Sequence, residues 1–119
     1  MDPRKIIFAA NASGQNEVKN YIIDISRKSK IQGPREAVEL FERISALKSS
    51  HLDLDAVKNG RCVINIYILC HEQHRIAYAM EFGKDDRIIL LTAFNERDHV
   101  VGIQRAERIA EIVFNVDTS

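Results

Sequence analysis

Only two cysteines occur among the 119 residues, and their spacing suits neither a disulfide nor a metal site. Cys62 and Cys70 lie in one strand-like segment, and an extended chain at about 3.3 Å per residue would separate them by ~26 Å, far beyond disulfide reach. No CxxC-type spacing is present. We therefore predict two buried thiols on one strand face, in a protein of the reducing cytoplasm.

Long apolar runs and an excess of one charge are also missing. The longest apolar stretches, Ile64–Cys70 and Ile88–Phe94, fall far below the ~20 residues that a membrane span requires. Residues 1–12 contain no long apolar segment that ends in a small-residue cleavage site, so no signal peptide is expected. Seventeen Lys and Arg are balanced by seventeen Asp and Glu. This balance excludes a protein that coats nucleic acid by bulk charge, although it allows a local basic patch.

The sequence also lacks a nucleotide-binding glycine loop, a metal cluster and a nucleophile motif, which leaves a small-molecule enzyme with little support. What is present is ordinary globular composition, with 45% apolar and 29% charged residues. A chain of this length and composition is predicted to form one domain over residues 1–119.

Hydrophobic periodicity predicts the element order β-α-α-β-β-β-α, an α+β fold. Lys5–Ala10 is the opening strand, and Ser13 can cap the helix that follows, in which apolar residues recur at helical spacing. Gly33-Pro34 starts a second helix, so the two helices form an N-terminal helical hairpin. The apolar stripes are Val18, Tyr21, Ile22 and Ile25 in the first helix, and Ala37, Leu40, Phe41, Ile44 and Leu47 in the second.

Three strands and a last helix follow. Arg61–Cys70 is almost continuously apolar, which is typical of a central strand covered on both faces. Arg75–Phe82 and Arg87–Phe94 flank a short turn with glycine, which indicates an antiparallel hairpin and therefore a small antiparallel sheet. The last helix begins near Asp98 or Val100. Its inward positions are Ile103, Ala106, Ile109, Ala110 and Val113.

Several short strings carry a family resemblance. Phe8–Gly14 joins an early strand to two helices through a turn with glycine, and Asn59-Gly60 precedes the first central strand. His74-Arg75-Ile76 opens the second central strand. The third central strand, Ile88–Phe94, is followed by polar and basic residues. Ala106 and Arg108 lie in the closing helix. In these strings the chain resembles the RelE–HigB superfamily of bacterial type II toxins, particularly its phage-derived HigB-like branch.

The resemblance implies a cytoplasmic toxin that cuts mRNA on the ribosome, inhibits translation and is neutralised by a small antitoxin protein. The 2′-hydroxyl of the RNA supplies the nucleophile in this reaction, so neither a metal nor another cofactor is implied. A homodimer is compatible with this interpretation. Arg75 and Arg97 would hold the scissile phosphate, because a guanidinium donates two parallel hydrogen bonds. His99, together with His71 or His74, would move protons.

The strand order independently favours a site in this region. In an antiparallel meander, the loop after the first central strand and the segment after the third emerge at the same end of the sheet. Three of the four histidines and two arginines can thereby reach one cleft. Candidate RNA contacts are Phe94 as a stacking surface, Asn95 beside it, and Lys28 and Lys30 in the basic cluster that also contains Arg27 and Arg35.

Three departures from the family pattern keep a non-catalytic alternative open. The first central strand has Val63-Ile64-Asn65 where the family has an acid, an aliphatic residue and an arginine. After Phe94 the chain has Glu96-Arg97 in place of paired lysines, and its formal charge is +0. The alternative is a member of the same fold that inhibits DNA gyrase in the manner of ParE, or a degenerate member that only binds its partner.

Overall fold

The computed structural model describes residues 4–48, 65–81 and 86–114. Within these ranges the predicted α+β class and element order are confirmed. A 3₁₀ turn, Glu96–Asp98, joins the last strand to the last helix. The elements are β1 (Lys5–Phe8), α1 (Glu17–Lys28), α2 (Gln32–Ala46), β2 (Tyr67–His71), β3 (His74–Glu81), β4 (Arg87–Asn95) and α3 (His99–Val113).

The sheet is mixed, so the prediction of a purely antiparallel sheet is wrong. Its strand order is β1-β4-β3-β2. The β3–β4 hairpin and the β2–β3 pair are antiparallel as predicted, whereas β1 runs parallel to β4, with Lys5 opposite Arg87 and Phe8 opposite Leu90. The apolar pattern of a strand records which faces are buried, but it carries no information about the direction of the neighbouring strand.

The prediction of a central strand over Arg61–Cys70 is also wrong in its position in the sheet. Among the described residues β2 begins only at Tyr67, and it lies at an edge of the sheet. Cys70 is consequently exposed rather than buried, and Asn65 is exposed ahead of the strand rather than enclosed within it. Cys62 lies outside the described residues. β4 is covered on both faces and is buried from Ile88 to Phe94, and the middle of β3 is buried on both faces as well.

Helices cover both faces of this sheet. The helical hairpin packs on one face through the buried side chains Val18, Ile22 and Ile25 of α1 and Ala37, Leu40 and Ile44 of α2. Ala106, Ile109 and Ala110 of α3 pack on the other face. None of the helices in the described ranges is long and apolar enough to cross a membrane.

Three details of the helices differ from the prediction. α1 begins at Glu17 rather than after Ser13, because Asn11 folds the preceding turn by accepting hydrogen bonds from the amides of Ser13 and Gln15. Phe41 is 45% exposed on the outer side of α2, and Val113 is 37% exposed at the end of α3. Both residues lie at the margin of an apolar stripe, where helical spacing alone does not separate covered from uncovered positions.

One glycine sets the distance between α3 and the sheet. Gly102 lies on the buried side of the first part of α3, directly over the ring of Phe94. A methyl group at this position would overlap the ring carbons of Phe94. The hydrogen of glycine therefore allows α3 to rest on the end of β4, next to the polar residues described below.

Candidate active site at the hairpin end of the sheet

The structure brings the β2–β3 turn and the segment after β4 to the same end of the sheet. His71 is opposite His74 across the turn, and His74 is in turn opposite Asn95 of β4. The amide of Glu96 donates a hydrogen bond of 2.8 Å to the carbonyl of Gln73. The strand alternation then directs neighbouring side chains to opposite faces, so that His74 faces the helical hairpin and Arg75 faces the side of α3.

His74 is the buried centre of a hydrogen-bonded chain. The residue is 2% exposed, and its Nδ1 atom lies 2.8 Å from the hydroxyl oxygen of Tyr21 on α1. Its Nε2 atom lies 3.2 Å from Oε2 of Glu36 on α2. An ionised carboxylate can only accept, so Nε2 carries the proton that is donated to Glu36. Nδ1 is then the acceptor for the Tyr21 hydroxyl, and a proton that arrives at Tyr21 has a direct route to the imidazole.

Tyr21 is the half-buried phenol at one end of this chain, and its surroundings favour the protonated form. Burial raises the pKa of Tyr21, and the negative charges of Asp98 and Glu36 raise it further, against the opposing effect of Arg97 and Arg75. The phenol therefore remains protonated at neutral pH. These charges also show that the residues after β4 act electrostatically on Tyr21 across the end of the sheet.

This electrostatic setting predicts a property of Tyr21 that can be measured. Because the pKa is raised in the folded protein, the stabilising contribution of the protonated phenol is complete below the unfolded value of about 10 and is lost as the pH rises through the folded value. We expect the tyrosinate absorbance that disappears in Tyr21→Phe to develop at a higher pH in the folded protein than in denaturant. Ionisation of Tyr21 at or below the denatured value would contradict the assigned environment.

Arg75, on the α3 side of the sheet, already has hydrogen-bond partners within the protein. Its guanidinium donates hydrogen bonds to the carbonyls of Glu72 (2.6 Å) and His74 (2.9 Å). It also donates to Oε2 of Glu96 at 3.1 Å. The Glu96 side chain is 57% exposed, so an external phosphate could replace this carboxylate without opening the core. Glu96 thus occupies the position at which an anion would bind Arg75.

The remaining predicted residues after β4 have different environments. Phe94 is 2% exposed, so its ring belongs to the core rather than to an open stacking surface. The side chain of Asn95 accepts a hydrogen bond from the amide of Arg97 (3.2 Å) and so folds the 3₁₀ turn. Arg97 and His99 are exposed, and the ring of His99 lies edge-on to Phe94 with centroids 5.9 Å apart. Arg97 and His99 are therefore accessible to a ligand.

His71 is directed away from this cluster, towards α2. Its Nε2 atom lies 3.0 Å from Oε2 of Glu39, and the other oxygen of that carboxylate lies 3.3 Å from Nε of Arg35. The hydrogen bond from His71 is the main reason that the pKa of Glu39 is lowered, and the positive charge of Arg35 adds to it. Lys28, at the end of α1, is about 10 Å along the helix axis from Tyr21. Lys28 is exposed, and so is Lys30 in the link before α2.

The structure adds residues that the sequence interpretation did not include. Helical spacing places Tyr21 only in the apolar stripe of α1, although a tyrosine hydroxyl that is removed from solvent usually needs a polar partner, and this need is a usable signal. Glu36 and Glu39 face the turn because they are three residues apart on α2. No sequence pattern pairs them with particular histidines, since that pairing depends on how α2 packs against the sheet.

Comparison with known proteins finds no matching family model, no matching curated protein and no matching solved structure.

Proposed function

We propose that the protein is a toxin of RelE–HigB-like arrangement that acts in the cytoplasm as a metal-independent endoribonuclease on ribosome-bound mRNA. An antitoxin protein would neutralise it, and the toxin could act as a monomer or a homodimer. The observation that carries the proposal is the Tyr21–His74–Glu36 chain, at the end of the sheet where the exposed Arg97 follows β4. This arrangement joins a route for a proton to a cation that can hold a phosphate.

The geometry suits cleavage by the 2′-hydroxyl of the substrate. The 2′-oxygen attacks phosphorus and the bond to the 5′-oxygen breaks, which yields a 2′,3′-cyclic phosphate and a 5′-hydroxyl. The hydroxyl of Tyr21 accepts the 2′ proton while its own proton passes to Nδ1 of His74. Glu36 stabilises the imidazolium that results, as a carboxylate does for a histidine base in other enzymes.

The other half of the reaction needs an acid and a countercharge. His99 is exposed and, as an imidazolium, can give a proton to the departing 5′-oxygen. Arg97 pairs with the phosphate, and Arg75 joins it once the phosphate has displaced Glu96. The added negative charge of the transition state strengthens both contacts, which is the condition for catalysis by electrostatic stabilisation.

One observation favours the second candidate function, a non-catalytic protein that binds gyrase or another partner. Arg75 already donates hydrogen bonds to two carbonyls and to the carboxylate of Glu96, which competes with a phosphate for the guanidinium. A binding protein needs no displacement of Glu96 and no proton transfer. The two functions are separated by what happens to RNA in the cell.

Inducible expression in a bacterial host tests the proposal. Pulse labelling of protein, RNA and DNA synthesis should show that translation stops first, and mapping of mRNA 5′ ends should show new ends inside coding sequences. Arg97→Ala should reduce cleavage by roughly 10- to 100-fold, because it removes one charge-assisted phosphate contact. Arg43→Ala, which removes an exposed cation of α2, is the matched control and should cleave normally.

Normal growth and intact mRNA with folded protein in the cell would reject the nuclease. An early DNA-damage response, in place of a loss of translation, would identify a gyrase inhibitor instead.

A further inference from the structure

Three side chains with metal-ligating atoms meet beside the Tyr21–His74–Glu36 chain without belonging to it. His71 ends β2, Glu72 follows in the turn, and Glu39 extends from α2. One donor atom from each lies within 4.8 Å of the donor atoms of the other two. These residues come from segments more than thirty positions apart, so the donors meet only in the folded protein.

The closest pair has the separation that a shared ion requires. Nε2 of His71 and Oε2 of Glu39 are 3.0 Å apart. Two ligands at neighbouring positions around one ion, each bound at about 2.1 Å, stand roughly 3.0 to 3.4 Å apart in octahedral or tetrahedral geometry. Glu72 is exposed, and its carboxylate oxygen lies within 4.8 Å of a donor atom of each of the other two residues. The protein contributes three ligands and leaves further positions for water.

The carboxylate of Glu39 is held in a suitable orientation by its other oxygen. Nε of Arg35 lies 3.3 Å from Oε1, which leaves Oε2 for the position that now faces His71. A partner of this kind, which fixes a ligand from outside the coordination shell, is a regular feature of metal sites. An ion at this position would take the place of the Nε2 proton of His71, and that proton would pass to solvent.

We propose that Glu39, His71 and Glu72 bind a first-row divalent cation such as Zn²⁺. One imidazole and two carboxylates form a mixed nitrogen and oxygen donor set, which suits Zn²⁺, Co²⁺ or Mn²⁺ better than the oxygen-only preference of Ca²⁺ or Mg²⁺. The ion would tie α2 to the turn that carries His74. The ion takes no part in RNA cleavage, so a test of the metal site does not depend on the proposed function.

Titration of the tag-free full chain with Zn²⁺ by calorimetry, and with Co²⁺ by visible absorption, tests the site. We expect one ion per chain. Glu72→Gln should weaken binding at least about tenfold, since losses of 10- to 100-fold are usual even for residues that only support a ligand. Glu72 lies in an exposed turn, so this variant should fold, and a circular dichroism spectrum like that of the unmodified protein establishes that it does.

Two controls identify which residues hold the ion. Glu42→Gln removes an exposed carboxylate three residues further along α2 and should bind the ion normally. Cys70→Ser removes the exposed thiol next to His71 and should also bind normally. His71→Asn should weaken binding at least as much as Glu72→Gln does. Absence of binding, unchanged affinity in Glu72→Gln, or loss of the ion in Cys70→Ser would each overturn the proposal.

Discussion

Replacing His74 with Phe should reduce mRNA cleavage by roughly 10²- to 10⁴-fold, the range typical for loss of a positioned proton-transfer group. Phenylalanine fills the volume of the imidazole but can neither accept the Tyr21 proton nor pair with Glu36. The change also leaves two polar groups without a partner, at a cost of about 1–3 kcal/mol in the free energy of unfolding. Cleavage should be measured as new 5′ ends per transcript, at matched levels of folded protein.

Two further variants keep a folding defect from being mistaken for lost chemistry. Tyr21→Phe interrupts the same proton route while His74 and Glu36 remain in place, and it should lower cleavage in the same direction. Tyr67→Phe removes a tyrosine hydroxyl from the same side of the sheet, where Tyr67 is stacked on Tyr78, and should leave cleavage intact. Full activity in both His74→Phe and Tyr21→Phe would remove the hydrogen-bonded chain from the mechanism.

Replacing Gly102 with Ala should destabilise the protein by about 1–3 kcal/mol, the usual cost of an added methyl group in a filled core. The expected sign is the opposite of that for a solvent-exposed helix position, where Ala is more stable than Gly by roughly 0.5–1 kcal/mol. The difference arises because the new methyl group meets the ring of Phe94. Thermal unfolding should show a fall in Tm of roughly 4–12 °C.

Gln104→Ala provides the comparison within the same helix. Gln104 is exposed, so this change should alter Tm by a degree or two at most (roughly ±0.5 kcal/mol). Combining Gly102→Ala with Phe94→Leu should recover part of the loss, because the smaller side chain makes room for the methyl group. A stabilised Gly102→Ala variant would show that α3 does not rest on Phe94 at this distance.

The fold was largely predictable because its elements are strongly patterned. Apolar residues that recur about every 3.6 positions predict the three helices, and apolar residues that recur at every second position predict the β3–β4 hairpin. Glycine-containing turns mark the boundaries between elements. The errors occurred where neighbours decide the outcome. Arg61–Cys70 is as apolar as a central strand, yet β2 lies at the sheet edge and Cys70 is exposed. Apolar content cannot distinguish a strand buried by two helices from one at the margin.

The candidate site was predictable only in its location. The alternation of the strands and the meander order predict that the histidines and arginines lie at one end of the sheet. These patterns do not predict which residues form hydrogen bonds with them. His71 and His74 are both histidines of one turn, and one pairs with Glu39 while the other joins Glu36 and Tyr21. Those pairings depend on the position of the helical hairpin over the sheet. This position results from the packing of many apolar side chains and is not written in any local motif.

The parallel pairing of β1 with β4 has a consequence for the order in which the chain assembles. Lys5 pairs with Arg87 in the sheet, so β1 has no partner until β4, about eighty residues further along the chain, has been made. β3 and β4 can pair as soon as both are available, because their contacts are local and close a short loop. β1 must instead find an edge that already exists. β1 is made before the other described strands and is therefore expected to join the sheet after them.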